Sequence, residues 1–467
     1  MSAPANTAAA AVSGPPPEAA APAARQKQPI GLFLLFGTEM WERFSYYGMR
    51  AILVLYLIDN KMGGAGWPKP YASRLYGWYT GLVYLTPLAG GYLADKLIGT
   101  HRSLIIGGLI IACGHFSLAM NSMPTFYAGL VLIILGTGFF KPNVSTMVGQ
   151  LYTQGDPRRD AGFTIFYMGI NLGAFLGTFI CGYLGESPQW GWHYGFGAAG
   201  VGMVCGLAMY VLGKRKYLGS IGDVPMSRAG GAAAAAANAA PLTREERDRV
   251  AAIFITAFFV IFFWLAFEQA GSSMNIFAAE RTARTFFGYT IPASWFQNIN
   301  PLAILVFGPA FATMWVRLGA RGKEPSTPVK MAMGLLLLGG GFVFMVIGGR
   351  ISDGGKLAGP LWLSLAYLFH TWGELCLSPV GLSLVTKLAP LKFASLLMGT
   401  WFLANFCANL AGGYVAALVE KVERGEVFRL LGGEADFFLM FVVSSVLAAT
   451  VLLLLTPQLK KLMHGRG

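Results

Sequence analysis

Charge is what this sequence has least of. Asp, Glu, Lys and Arg make up 12% of its 467 residues, about half the roughly 25% of a soluble domain. A chain this poor in charge and 55% hydrophobic cannot hide its apolar surface in soluble cores, so its solvent must be lipid. Histidine and cysteine are equally scarce, with five of each. Cys113, Cys181, Cys205, Cys376 and Cys407 all fall in apolar stretches without a CxxC spacing. That argues against a disulfide framework or a zinc site, and the five read as small packing residues. His193 and His370 stand isolated, and His101, His115 and His464 lie at span ends or in the tail. None has a ligand partner at a suitable spacing, so no metal and no other cofactor is expected. A Gly-rich phosphate loop and a Ser-His-Asp arrangement are also missing, so nothing points to an enzyme. No secretory signal is visible. Residues 1–29 are Ala- and Pro-rich with no apolar core, and a disordered cytoplasmic tail is expected there.

Long apolar runs are abundant. Stretches of about 18 residues or more mark spanning helices, and twelve are expected, near 30–58, 74–97, 102–121, 124–150, 160–184, 192–213, 248–272, 292–317, 328–349, 358–386, 394–419 and 434–456. With both termini inside, 22 of the 35 Lys and Arg fall on inner segments and 10 on outer ones, leaving Arg43, Arg50 and Lys141 within spans. Inner segments of membrane proteins collect Lys and Arg, which places both termini in the cytoplasm. The same bias accounts for most of the net charge of +13 without a nucleic-acid partner.

One long polar linker, 214–247, divides the chain into six-helix bundles at 30–213 and 248–456, with a short cytoplasmic tail at 457–467. Two such halves around a midplane site are the plan of the major facilitator superfamily. The loop "GGYLADKLIGTHRS", residues 90–103, resembles that superfamily's inner signature. Asp95 there is expected to meet a helix N-terminus. The expected fold is an all-α membrane protein of this type with twelve transmembrane helices.

Seven ionisable residues lie inside the expected spans: Glu39, Glu42, Glu268 and Glu374 against Arg43, Arg50 and Lys141. A charge at the bilayer centre costs about 2.5–3.5 kcal/mol on insertion scales, so each marks a functional position. Four carboxylates face three fixed cations, and a low-dielectric site resists the surplus negative charge. One carboxylate is therefore expected to hold or exchange a proton. At 100° per residue, Glu39, Glu42, Arg43, Tyr46 and Arg50 fall within an arc of roughly 100° and form one stripe on the first helix. Lys141 precedes Pro142, which removes a backbone donor and is expected to kink the helix. The charges come from both halves, as an alternating-access site needs. Tyr46, Tyr47, Tyr84, Trp264, Trp401 and Phe402 lie near them and could wall side-chain pockets.

"EMWERFSYY", "FYMGINLGA", "FFWLAFEQ", "SWFQNINP", "GELCLSPVGLSLVTKLAP" and "GTWFLANFCAN" occur in that order along the chain. Together they resemble the motifs of the proton-dependent oligopeptide transporter family over about residues 30–456. The resemblance implies proton-coupled symport of di- and tripeptides. It implies that Glu39, Glu42, Arg43 and Glu268 couple the proton, that Arg50 pairs with Glu268, and that Lys141 pairs with Glu374 to close the outer gate. It further implies that Arg50 and Lys141 take the peptide carboxylate, Glu374 the amino terminus, and Asn171 and Asn300 the backbone, with the six aromatics lining the pockets. Gly77 stands where mammalian relatives carry a helix-2 histidine, so coupling is expected on carboxylates. The linker is too polar for the two extra helices of many bacterial relatives, and the loop "RISDGGK" is too short for the extracellular domain of animal members, which points to a bacterial inner (plasma) membrane. A monomer suffices for one central site. The alternatives are a same-fold carrier of nitrate or of a peptide-like drug, and a non-transporting peptide receptor.

Overall fold

The computed structural model describes residues 27–153, 156–225, 242–390 and 393–465. Most of the expected N-terminal tail, residues 1–26, and residues 226–241 of the expected linker lie outside the described residues.

Among the described residues, twelve long helical passes run in order. The first six are α1 (Ile30–Ile58), α2 (Lys69–Leu93), α3 (Thr100–Leu118), α4 (Met123–Gln150), α5 (Arg159–Gly185) and α6 (Trp192–Tyr217). The seventh is broken: α7 (Arg244–Phe267) leads through a 3-10 turn, Glu268–Gly271, into α8 (Ser273–Arg281). Then come α9 (Ile299–Ala320), α10 (Thr327–Asp353), α11 (Pro360–Leu388) and α12 (Ala394–Ala416). A single turn, α13 (Val419–Glu423), precedes the last pass, α14 (Glu434–Leu462). A two-residue hairpin, Thr285–Phe286 with Tyr289–Thr290, is a small β addition to an otherwise helical chain. Eight of the described helical segments are long and apolar enough to cross a membrane by composition alone. α1 is not among them because it carries Glu39, Glu42, Arg43 and Arg50.

The passes run past their apolar cores. α6 continues to Tyr217 and α14 to Leu462, each ending in a basic turn where cations meet the negative end of the helix dipole. α7 opens with a capping box between Thr243 and Glu246, which satisfies two otherwise orphan amides. α4 runs without interruption through Pro142. Asp95 lies exposed in the first turn of a π-helical segment, Ala94–Ile98, after α2.

Lipid gives no hydrophobic drive between helices, so small residues let backbones approach. α1 and α5 meet this way: a Cβ added to Gly173 would strike the Met40 carbonyl, and one on Gly177 the Phe44 carbonyl. Both ends of the described chain lie on one face, where Gln28 donates to the Arg158 carbonyl (3.2 Å) and His464 bonds Asp248 (2.9 Å).

The two halves meet near the opposite face. There Asn275 donates to the Ala51 carbonyl (2.7 Å), Trp295 stacks on Phe179 (4.3 Å), and Lys69 pairs with Glu280 (2.5 Å). Gly77 on α2 lies against Gly413 on α12, where an added Cβ would fall 2.7 Å from the Gly413 Cα. Towards the terminal face α9 loses its cover, and its buried residues end at Ile304.

Candidate functional site

Between the halves lies a cavity of about 150 Å³. α1 contributes Tyr47 and Arg50, α2 Tyr84, α5 Tyr167 and Asn171, α7 Trp264, the 3-10 turn Glu268, α9 Asn300, and α11 Glu374. Broken helices free backbone groups and side chains for a ligand at the midplane, and Glu268 sits at such a break, its carboxylate aimed at α1.

Arg50 bridges three elements. Its Nη2 meets Glu268 Oε2 at 2.5 Å and its Nε donates to the Tyr76 hydroxyl at 2.6 Å. Tyr47 and Tyr76 hold the guanidinium carbon at 5.7 and 5.9 Å from their ring centres, within cation–π range. The pair is 8% and 5% exposed at its side chains, and such a pair persists in low dielectric only when further donors and acceptors are satisfied.

The rest of the α1 stripe forms a second cluster, apart from the cavity lining. Arg43 Nε lies 2.9 Å from Glu39 Oε1 and 2.5 Å from Glu42 Oε2. Glu39 Oε2, both Glu42 oxygens and two Arg43 nitrogens make no well-aligned hydrogen bond. The cluster therefore holds two buried acids on one cation with spare proton-accepting positions.

The expected pairing of Lys141 with Glu374 is not made. Lys141 Nζ instead sits 4.4 Å above the Tyr84 ring. Glu374 Oε2 accepts from Asn300 Nδ2 at 2.8 Å, and the same amide also reaches the Thr371 hydroxyl at 3.1 Å. The halves close on the face away from the termini, and each of the two charges finds a partner within its own half.

Of the expected aromatics, Tyr47, Tyr84 and Trp264 line the cavity, and Tyr46, Trp401 and Phe402 do not. Tyr46 is buried under Arg43 (5.5 Å) and edge-on to Tyr47 (5.2 Å). Trp401 is 5% exposed in the packed core, with its neighbour Phe402 partly covered. Asn171 and Asn300 both reach the cavity, although Asn171 spends its amide on the Tyr167 carbonyl (3.0 Å).

Tyr167, Gln297 and Tyr367, which the sequence does not single out, also line it, as does His370, which the sequence shows as isolated. The first two lie inside motifs quoted above. His370 precedes Glu374 by one helical turn, so the i,i+4 spacing was the signal available for it.

Known proteins share this architecture. The model of the POT family matches residues 101–224 and 227–430. The uncharacterized transporter YclF of Bacillus subtilis is 40% identical over 94% of this chain and 95% of its own length. The di-/tripeptide transporter of Lactococcus lactis subsp. cremoris is 34% identical, covering 93% of this chain and 97% of its own. A structure of a variant of the peptide transporter POT in complex with alafosfalin is similar with a TM-score of 0.83 at 37% identity, covering 94% of this chain and 96% of the other.

Proposed function

This chain belongs to the POT family of peptide transporters, and we propose from that premise that it carries di- and tripeptides into the cell by proton-coupled symport with alternating access. The observation that carries this reading is the cavity wall itself, which offers Arg50 from one half and Glu268 and Glu374 from the other. A zwitterionic peptide adds no net charge, yet its two ends satisfy both signs. Asn171 and Asn300 are suited to its backbone, and Tyr47, Tyr84 and Trp264 to varied side chains.

In this reading Arg50 and Glu268 form the latch of the closed face, and the peptide carboxylate competes with Glu268 for Arg50. Lys141, seated over the Tyr84 ring in this arrangement, joins Arg50 in holding that carboxylate. Glu374 takes the amino group. Protons enter at Glu39, Glu42 and Arg43, with Glu268 as the second carrier. The surplus of one carboxylate over the buried cations supports this assignment. The Lys and Arg bias supports an inner-membrane protein with cytoplasmic termini. The bundles 30–213 and 248–456 act as the rocking halves of a monomer, with lipid around them and no nucleic acid.

A peptide-like drug is a second substrate class for the same cavity, favoured by the alafosfalin complex of the related transporter. Nitrate fits less well, because it has no use for Glu374.

Uptake of labelled dialanine into proteoliposomes with an inside-alkaline gradient tests the proposal. The unmodified protein should accumulate dialanine. Glu42→Gln should lose accumulation and keep downhill counterflow. Accumulation that persists in the variant moves the proton to Glu268, and no uptake by either protein removes the peptide reading.

A further inference from the structure

The connection between α8 and α9 breaks two rules at one residue. Thr285–Phe286 and Tyr289–Thr290 pair as a hairpin whose two-residue loop is Phe287–Gly288. Both loop residues have positive φ, +50° and +82°, a backbone that normally takes Asn, Asp or Gly at the first position. A bulky side chain there is an outlier, and Phe287 is also fully exposed. Strain and an exposed apolar tip kept at one residue point to a use for that tip.

The hairpin is two-faced and held at its base. Side chains alternate along a strand, so Phe286 and Tyr289, both exposed, share one face. Thr285 and Thr290 share the other, where their hydroxyls bond at 2.9 Å. The Ile291 amide donates to the Arg284 carbonyl (2.9 Å), Arg284 Nη1 to the Ile291 carbonyl (2.6 Å), and the Ala283 amide to the Ala358 carbonyl (2.8 Å). The aromatic tip stands on a fixed stem.

What lies against the tip is indicated by α9. Phe286 lines a groove of about 400 Å³ with Ile291, Trp295, Phe296, Ile299 and Pro360. Ile299, Leu302 and Val306 form one stripe at i, i+3 and i+7. At 100° per residue, Leu302 and Val306 fall on the far side of α9 from Asn300 and Ile304, which line the central cavity. Both are exposed, at 49% and 60%. The apolar side of a spanning helix turned away from the bundle's cavity faces lipid, and the groove continues that stripe at Ile299.

We propose that the hairpin is an interfacial anchor. Phe286, Phe287 and Tyr289 seat in the boundary between headgroups and acyl chains, on the side of the bilayer away from the termini, and a lipid chain fills the groove. Aromatic side chains favour that boundary, and the Tyr289 hydroxyl suits its polar edge. The bilayer thereby grips the segment whose Ala293 and Ser294 amides meet Glu186 of the other half.

The test is the depth of a spin label at Tyr289 in phospholipid proteoliposomes. Depth is read from collisions with oxygen, which concentrates in the bilayer, and with a polar nickel chelate, which stays in water. A label at Lys61, exposed on the same side of the molecule, is the aqueous reference. The Tyr289 label should favour oxygen severalfold more than the Lys61 label, at a depth of about 5–10 Å. Phe287→Asn suits the turn, so the hairpin should persist while its apolar tip is lost, and the oxygen preference at Tyr289 should fall towards that of Lys61. A Tyr289 label as open to the chelate as the Lys61 label overturns the anchor. So does a depth that Phe287→Asn leaves unchanged. A label shielded from both reagents overturns it as well, because it marks a protein partner on the hairpin.

Discussion

Arg50 holds two partners at once, and the second is the less obvious one. Glu268 neutralises its charge at 2.5 Å, and the Tyr76 hydroxyl accepts its Nε at 2.6 Å. Tyr76→Phe would leave a buried guanidinium N–H without an acceptor, at a cost of about 1–3 kcal/mol. That cost falls on the closed seam, because opening lets water reach the donor. Spin labels at the exposed positions Lys61 and Phe287, one in each half, would read it. A longer-distance population should grow in the variant, and identical distance distributions would show that Glu268 alone holds the latch. At this scale the sequence marked the ionisable residues by their cost in lipid. It could not say which opposite charge each one meets: Glu374 found an amide and Lys141 a ring.

Among the helices, close approach is decided by glycine. At the α2–α12 seam a Cβ on Gly77 would meet the Gly413 Cα at 2.7 Å and the Asn409 carbonyl at 2.9 Å. Both obstacles are backbone and cannot swing aside. Gly77→Ala should therefore weaken closure by about 1–3 kcal/mol, the usual penalty of overpacking. Dialanine uptake should slow, while the protein stays folded as judged by its elution as a single detergent-solubilised species. Uptake at the unmodified rate would mean that the seam has slack there. The same contact explains why a helix-2 histidine has no room at this position. Broken α7 is the other lesson at this scale. Its apolar run reads as one helix, and the 3-10 turn at Glu268–Gly271 sets the Glu268 carboxylate 2.5 Å from Arg50.

The whole molecule closes through groups outside the bilayer-spanning segments as well. Glu186, at the end of α5, accepts from the Ala293 and Ser294 amides of the other half at 2.5 and 2.9 Å, with Arg284 at 3.9 Å. Burial pushes its carboxyl above the usual range, and the two amides and Arg284 draw it back only in part. A carboxyl raised in the closed state binds its proton more tightly there than when the seam opens to water. Closure should then gain as pH falls through the raised value, with the gain complete below the ordinary value near about 4.3, and weaken as pH rises. The Lys61–Phe287 label pair should report more open seam at alkaline pH, and Glu186→Gln should flatten that response. A response of the same size in the variant would assign the pH sensitivity to another group.

The sequence by itself determined that the chain spans a membrane, the number of its passes and several of the charged and polar residues that line the cavity. Lipid makes each of these local: a span needs its own apolar run, and a retained charge advertises itself by its cost. Arg50, Glu268, Glu374, Asn171 and Asn300 were legible for that reason or from the motifs that hold them. The tertiary structure decided which side of the molecule is shut, which of Tyr46, Tyr47, Tyr84, Trp264, Trp401 and Phe402 face the cavity, and that His370 joins Glu374 there. An aromatic costs nothing in lipid or in a core, so its direction leaves no mark in the sequence. Only the packing of α1, α2, α7 and α12 against their neighbours sets it.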